Sequence, residues 1–232
     1  MRRVIDGIMY VVTHGCKWRG LPKDFPPWRT VYGYFIELRK LGRWRMIHYA
    51  LYEMLRGEAG REPNPSLLII DSQSVKTGKN ACGDSRGLDW GKKVKGRKRH
   101  ALVDSMGLLV EVDVTKANFA DNKGAKRVLE KYKRRVKKPR VKKVLGDKGY
   151  QGEMLRGFVH HAFRAVVEIG QNHTSPARGF VPAKKRWLVE RGFAWLGDYW
   201  RLSIDRERDL RNSCTMIRIA FIRLMLRRLK PV

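Results

Sequence analysis

Residues 66–75 read SLLIIDSQSV, four apolar residues in a row ended by an acid. Such a run fits a strand covered on both faces, so the chain must build a sheet with layers on either side. The carboxylate that ends it, Asp71, is costly to cover unless something meets it. One reading makes Asp71 a cap that turns the chain, as Asp and Ser often do. The other gives it a ligand. The segment VKKVLGD repeats the pattern, a second strand ended by Asp147. In a mixed α/β sheet, strand ends on one rim are where ligands collect.

The segments around these strands alternate in period. RKRHALVDSMGLLVEVDVT predicts a hairpin turning near Ser105, Met106 and Gly107. Its second arm sets Leu108, Val110, Val112 and Val114 against Leu109, Glu111, Asp113 and Thr115, the period of a half-buried strand. Asp121 can cap a helix whose Ala125, Val128, Leu129, Tyr132 and Val136 form one apolar face. EMLRGFV predicts a short helix, FRAVVEI a strand, KKRWLVERGFAWLG a helix, and residues 213–229 a last helix. The order is that of a mixed α/β sheet with flanking helices. Ahead of it, residues 1–60 read as helical. Val4, Ile8, Val11 and Val12 share one helix face, and TVYGYFIELRKL and RWRMIHYALYEML give two more helices split at Gly42. Trp18, Trp28, Tyr32, Tyr34, Arg29, Arg39 and Lys40 suit a helix-turn-helix-like DNA-binding region, or equally the core and surface of a plain bundle. The polar RGEAGREPNPS is the expected linker, which divides the chain into 1–60 and 66–232.

Charge narrows the partners. The 232 residues carry 51 Lys and Arg against 22 Asp and Glu, a net +29, while 43% are hydrophobic. A folded chain so basic requires an anionic partner, and nucleic acid comes first because phosphate neutralisation supplies most non-specific affinity. A membrane surface is disfavoured, since no helix shows a clean basic and apolar split. IRIAFIRLMLRRL is broken by Arg218 and Arg223 and cannot span a bilayer. MRRVIDGIMYVV is interrupted by Asp6 and no cleavage site follows, so it is not a signal peptide. Cys16, Cys82 and Cys214 lack any CxxC partner, which points to a reducing compartment and no structural zinc. The expectation is a cytoplasmic protein.

A third acid, Glu190, shares a helix side with Arg186, Trp187, Phe193, Ala194 and Gly197. It is either a surface ion pair with Arg186, worth about 0.3–0.5 kcal/mol, or a site residue. Three carboxylates at one point repel each other, and a pair of Mg²⁺ ions relieves that while clamping a phosphodiester. The run GKKVKGRKRH holds Lys92, Lys93, Lys95, Arg97, Lys98 and Arg99, a DNA-backbone grip or a solvated face. Trp195, Tyr199 and Trp200 could stack on a flipped base, with core packing the stronger alternative.

These motifs resemble the DDE transposases of bacterial insertion sequences, the IS-five family, with an RNase H-like catalytic domain. LLIIDSQSVKT is similar to the family's first-aspartate strand, VLGDKGYQG to its second, and RWLVERGFAWL to its glutamate helix, with Arg186 matching the arginine four places before the glutamate. GKKVKGRKRHALVDSMGLL resembles the basic strand between the aspartates, and GCKWRGLPKDFPPWRTVYGYF the helical N-terminal region. The resemblance implies that Asp71, Asp147 and Glu190 are the metal-binding catalytic triad. It also implies Mg²⁺ as cofactor with Mn²⁺ as substitute, DNA as substrate, and a homo-oligomer that pairs two element ends. Cleavage and strand transfer is the implied activity; a metal-dependent nuclease and a catalytically inactive, decayed DNA-binding protein are the alternatives. Relatives usually carry an extra helical stretch before the position of Met1, so a shortened recognition region is expected. A wider signature, with a tyrosine three places before the arginine and a basic residue seven after the glutamate, is incomplete, because those positions are Ala183 and Gly197.

Overall fold

The computed structural model describes residues 1–170, 173–175, 179–181 and 185–229. Ala183, and Lys184 at the expected start of the glutamate helix, lie outside the described residues. The chain opens with helices α1 (Arg2–His14), α2 (Trp28–Lys40) and α3 (Arg43–Glu58). α1 buries the expected Val4, Ile8, Val11 and Val12. Gly42, at φ 69°, makes the left-handed turn between α2 and α3 that its sequence position predicts. Trp18 packs its ring 5.1 Å from Tyr32 and 5.2 Å from Phe35, so part of the aromatic set is core.

The sheet follows. Its strands are β1 (Leu67–Lys76), β2 (Gly87–Asp89), β3 (Val94–Val103), β4 (Leu109–Lys116), β5 (Lys143–Gly146) and β6 (Val166–Ile169). Across the sheet the order is β4-β3-β1-β5-β6, with β2 beside the start of β3. β3 is antiparallel to β1 and β4, whereas β1, β5 and β6 run parallel. Helix α4 (Asp121–Arg135) leads from β4 to β5, and α5 (Glu153–Phe163) from β5 to β6. α6 (Trp187–Gly197), α7 (Trp200–Ser203) and α8 (Leu210–Leu226) complete the chain after a small hairpin of β7 (His173–Ser175) and β8 (Gly179–Val181). α4 packs on one face of β3 and β4; α6 lies on β1 and β3, and α8 on β4 and α3. This is the RNase H-like mixed sheet with flanking helices and leading N-terminal helices that the sequence led us to expect.

Covering both faces is what the apolar run demands. Leu68, Ile69 and Ile70 are at most 1% exposed, and each such burial contributes about 1.5–3 kcal/mol. The layers approach so closely that glycine is required where they touch. A Cβ on Gly124 of α4 would lie 2.2 Å from the His100 ring on β3; within the sheet, one on Gly96 of β3 would meet Val75 O of the adjacent β1 at 1.9 Å.

Three expectations need correction. β1 does not stop at Asp71 but runs ten residues to Lys76, so the acid is mid-strand and caps nothing. β4 is buried on both faces, because Glu111, Asp113 and Thr115 are as covered as the valines between them. α8 begins at Leu210, three residues early, because the Asp209 side chain accepts from the Asn212 N–H and starts the helix there.

The buried charges are met by named partners. Glu111 accepts from Tyr49 of α3 and pairs with Arg218 of α8. Asp104, in the β3–β4 turn, pairs with Arg56 and accepts from Tyr52, both on α3. Asp113 holds Lys131 and Arg127 of α4 at 2.6 and 2.8 Å. Arg97, fully buried, donates to Asp205 at 2.9 Å, Ser213 Oγ at 2.8 Å and the carbonyls of Glu207 and Arg208. Removing one partner of such a pair leaves the other charged and desolvated. Arg97→Ala is therefore expected to lower stability by about 3–5 kcal/mol in urea melts. A loss below about 1 kcal/mol would show that Arg97 does not hold the α8 end of the fold.

Candidate active site

The parallel register of β1 and β5 sets the first two acids. Leu67, Leu68 and Ile69 lie opposite Lys143, Val144 and Leu145. Carried two residues on, that register brings Asp147, the residue after β5, beside Asp71. Side chains alternate along β1. Ser72 Oγ donates to Asp121 Oδ1 of α4 at 2.7 Å, so Asp71 faces the other way, toward α6. Its cross-strand neighbour on β3 is Ala101, which leaves room. Asp71 Oδ1 accepts from the Ser72 N–H at 2.7 Å, and Asp147 Oδ1 from the Gly149 N–H at 2.9 Å.

Glu190 joins them through Arg186. The Arg186 guanidinium lies 2.7 Å from Glu190 Oε1 and 3.5 Å from Asp147 Oδ2. The i,i+4 pair predicted as the simple alternative thus exists, but the same guanidinium also reaches the second aspartate. A cleft of about 300 Å³ lined by Asp147, Lys148, Gly170 and Arg186 opens beside it. Burial pushes the Asp71 carboxyl up to about 6, helped by the Asp147 charge and opposed by the Ser72 N–H, Arg186 and Lys92. The donors here are all carboxylate oxygens, the chemistry that hard divalent cations take. Among the described residues no three acid, His or Cys groups stand close enough together to hold an ion as placed. Arg186 fills the gap between Asp147 and Glu190, so a positive charge already stands where the acids need one.

The basic run divides in two. Lys92, Lys93 and Lys95 are exposed, and Lys92 Nζ donates to Ser72 O at 3.2 Å, next to Asp71. Arg97, Lys98 and Arg99 are buried, which corrects the expectation that they grip DNA. Lys98 lies 3.1 Å from Asp121 and 3.5 Å from Asp89. Arg99 donates to Leu202 O at 2.7 Å and to Gln73 Oε1 at 3.1 Å. Alternation cannot separate a surface run from an inward one when both faces of a strand are covered. Tyr199, a stacking candidate, is also buried and donates to Ala220 O at 3.0 Å, whereas Trp200 is 69% exposed. Asp121, expected as the cap of α4, is its first residue and makes no cap hydrogen bond; it links Ser72 to Lys98 behind the acids instead, a role the sequence did not show. Trp90, 80% exposed in the turn ahead of Lys92, was signalled only by an aromatic in a polar turn, DWGKK.

The raised Asp71 carboxyl sets a pH dependence. Its folded-state value lies above the ordinary 3.8, so ionisation costs stability as pH rises through about 6. Without divalent metal, Asp71→Asn is expected to melt a few degrees above the wild type at pH 7–8, with the gap closing toward pH 4. A gap that stays constant with pH would show that the carboxyl is not held up by its surroundings.

Comparison with known proteins places the chain. The family model described as "Transposase DDE domain" matches residues 62–225, and that described as "Putative transposase of IS4/5 family" matches residues 1–48. A protein of Brucella ovis described as "Putative transposase for insertion sequence element IS6501" is 28% identical over 136 residues, 56% of this chain and 98% of that one. Among solved structures, the catalytic domain of Mos1 mariner transposase overlaps 78% of this chain and 87% of its own, with 11% identity and a TM-score of 0.38. Among the described residues no helix is long and apolar enough to cross a membrane. With its DDE match running over well more than half its length, the chain belongs to the DDE transposases of insertion elements, proteins that act on DNA.

Proposed function

We propose that this transposase cleaves DNA at the ends of its element and transfers the freed strand to target DNA, with Asp71, Asp147 and Glu190 as the catalytic and metal-binding acids. The observation that carries the reading is the parallel register that brings Asp147, just past β5, beside Asp71 of β1, with Glu190 tied to Asp147 by one guanidinium. Asp71, partly desolvated and beside a second acid, carries charge that needs a cation. DDE transposases generally use divalent metal. Mg²⁺, or Mn²⁺ in its place, supplies Lewis-acid charge to the phosphodiester when these carboxylates bind it. Arg186 offers its planar fork to a phosphate oxygen pair, and Lys92, Lys93 and Lys95 hold the backbone alongside. In cleavage, water oxygen bonds to phosphorus and the 3′ oxygen leaves with a proton. In transfer, that 3′-hydroxyl oxygen gives up its proton and bonds to a target phosphorus, and the target's own 3′ oxygen leaves with a proton. Residues 1–60 serve as the region that recognises element ends, and a homo-oligomer brings two ends together.

The test uses linear DNA carrying the element ends, with Mg²⁺ or with EDTA. Specific nicking followed by joining, in Mg²⁺ alone, is expected. Nicking without joining would reduce the protein to a nuclease, and binding without cleavage would make it inactive. Asp71→Asn, Asp147→Asn and Glu190→Gln should each lower cleavage by about 10³-fold or more while DNA binding in EDTA persists. Full cleavage by any of the three would remove that residue from the site.

The exposed lysines give a separate prediction. Lys92→Ala, Lys93→Ala and Lys95→Ala should each reduce the slope of log K against log salt by about 0.9, equally for all DNA sequences. Unchanged slopes would make the turn a solvated surface only.

A further inference from the structure

α6 bears a second chemically marked side. Trp195 follows Glu190 by five residues, about 7.5 Å along the helix and about 140° around it, so the two face well apart. Arg191 stacks 4.6 Å from the Trp187 ring centroid and 4.7 Å from that of Trp195, and Arg228 stacks 4.5 Å from Trp195. Trp195 thus holds two guanidiniums at once. Beside it opens a pocket of about 300 Å³ whose walls include Trp195, Asp198, Tyr199, Arg223, Arg227 and Arg228.

These cations lack counter-charge. Among the described residues, none of Arg191, Arg223, Arg227 and Arg228 makes an ion pair with a carboxylate. Asp198 is exposed at the rim, and Asp104, the acid that bears on Arg228, is already paired with Arg56. Arg191 donates one bond to Met106 O at 3.2 Å and keeps a buried Nε without a partner; Arg223 donates to Thr13 Oγ1. Among the buried cations elsewhere, Arg56, Arg97, Lys98, Arg201 and Arg218 each meet an acid. Here the Trp195 ring holds Arg191 and Arg228 together against their repulsion, with Arg227 beside the same pocket. A planar fork fits the paired oxygens of a phosphodiester.

We propose that this arginine–tryptophan pocket is a second DNA-backbone site, separate from the cleft of Asp71 and Asp147. It rests on the chain acting on DNA and not on which acids are catalytic. A net charge of +29 and a family that works on DNA favour a nucleic acid backbone over an acidic protein.

The test measures binding of the full chain to a random-sequence duplex across a salt series in EDTA. Arg227 and Arg228 are exposed, so Arg227→Gln and Arg228→Gln should fold as wild type, which urea midpoints check. Each is expected to reduce the salt slope by about 0.9, with Arg228→Lys keeping the slope, and the loss should add to that of Lys92→Ala. Unchanged slopes in both folded variants would overturn the proposal, as would polyglutamate displacing the duplex from wild type but not from these variants. Asp71→Asn should keep the wild-type slope, so failure of the acid site is read in cleavage and failure of this pocket in binding.

Discussion

A charge enters the interior of a sheet only when its opposite arrives with it, because the desolvation cost is otherwise several kcal/mol. β3, β4 and the turn between them carry Arg97, Lys98, Asp104, Glu111 and Asp113 in buried positions. Each finds its counterpart on another element: Asp205 ahead of α8, Asp121 at the start of α4, Arg56 on α3, Arg218 on α8, Lys131 on α4. Apolar burial supplies the driving force, but it is indifferent to small shifts in docking. These pairs are not. A helix displaced by one turn would bury a charge without its partner, so the pairs fix where each layer sits.

Against that background the cleft stands out. Asp71 and Asp147 are set side by side by strand register, so like charges are neighbours, and the burial of Asp71 makes their repulsion count. One guanidinium is shared between Asp147 and Glu190. The interior sets acid against base, whereas in the cleft acid stands beside acid, a local imbalance in a strongly positive protein. Such an imbalance is sustained only where the rest of the fold is stable enough to hold it.

Local patterns carried much of this in the sequence. The apolar run of β1, the α4 face and the hairpin at Gly107 depend on neighbours a few residues apart, and they are legible. Asp71, Asp147 and Glu190 were singled out by their local patterns and by the family likeness, although Asp71 lies mid-strand and not at a strand end. What stayed hidden depends on distance along the chain. That β4 is covered twice, and that Arg97 and Arg99 point inward, follows from α7, α8 and the loop between them, more than a hundred residues later. Trp90 was hidden for the opposite reason, since nothing in a short turn says whether an aromatic is covered.

α3 bears on how chains of this kind diverge. Its inward side presents Tyr49, Tyr52 and Arg56 to Glu111 and Asp104, while Met46, Ile47 and Met54 look outward. The outward positions can drift one at a time. The inward ones must change in concert with residues 48 to 62 positions further on. A chimera that joins the first helices of one relative to the sheet of another would inherit both halves of a lock cut for different keys.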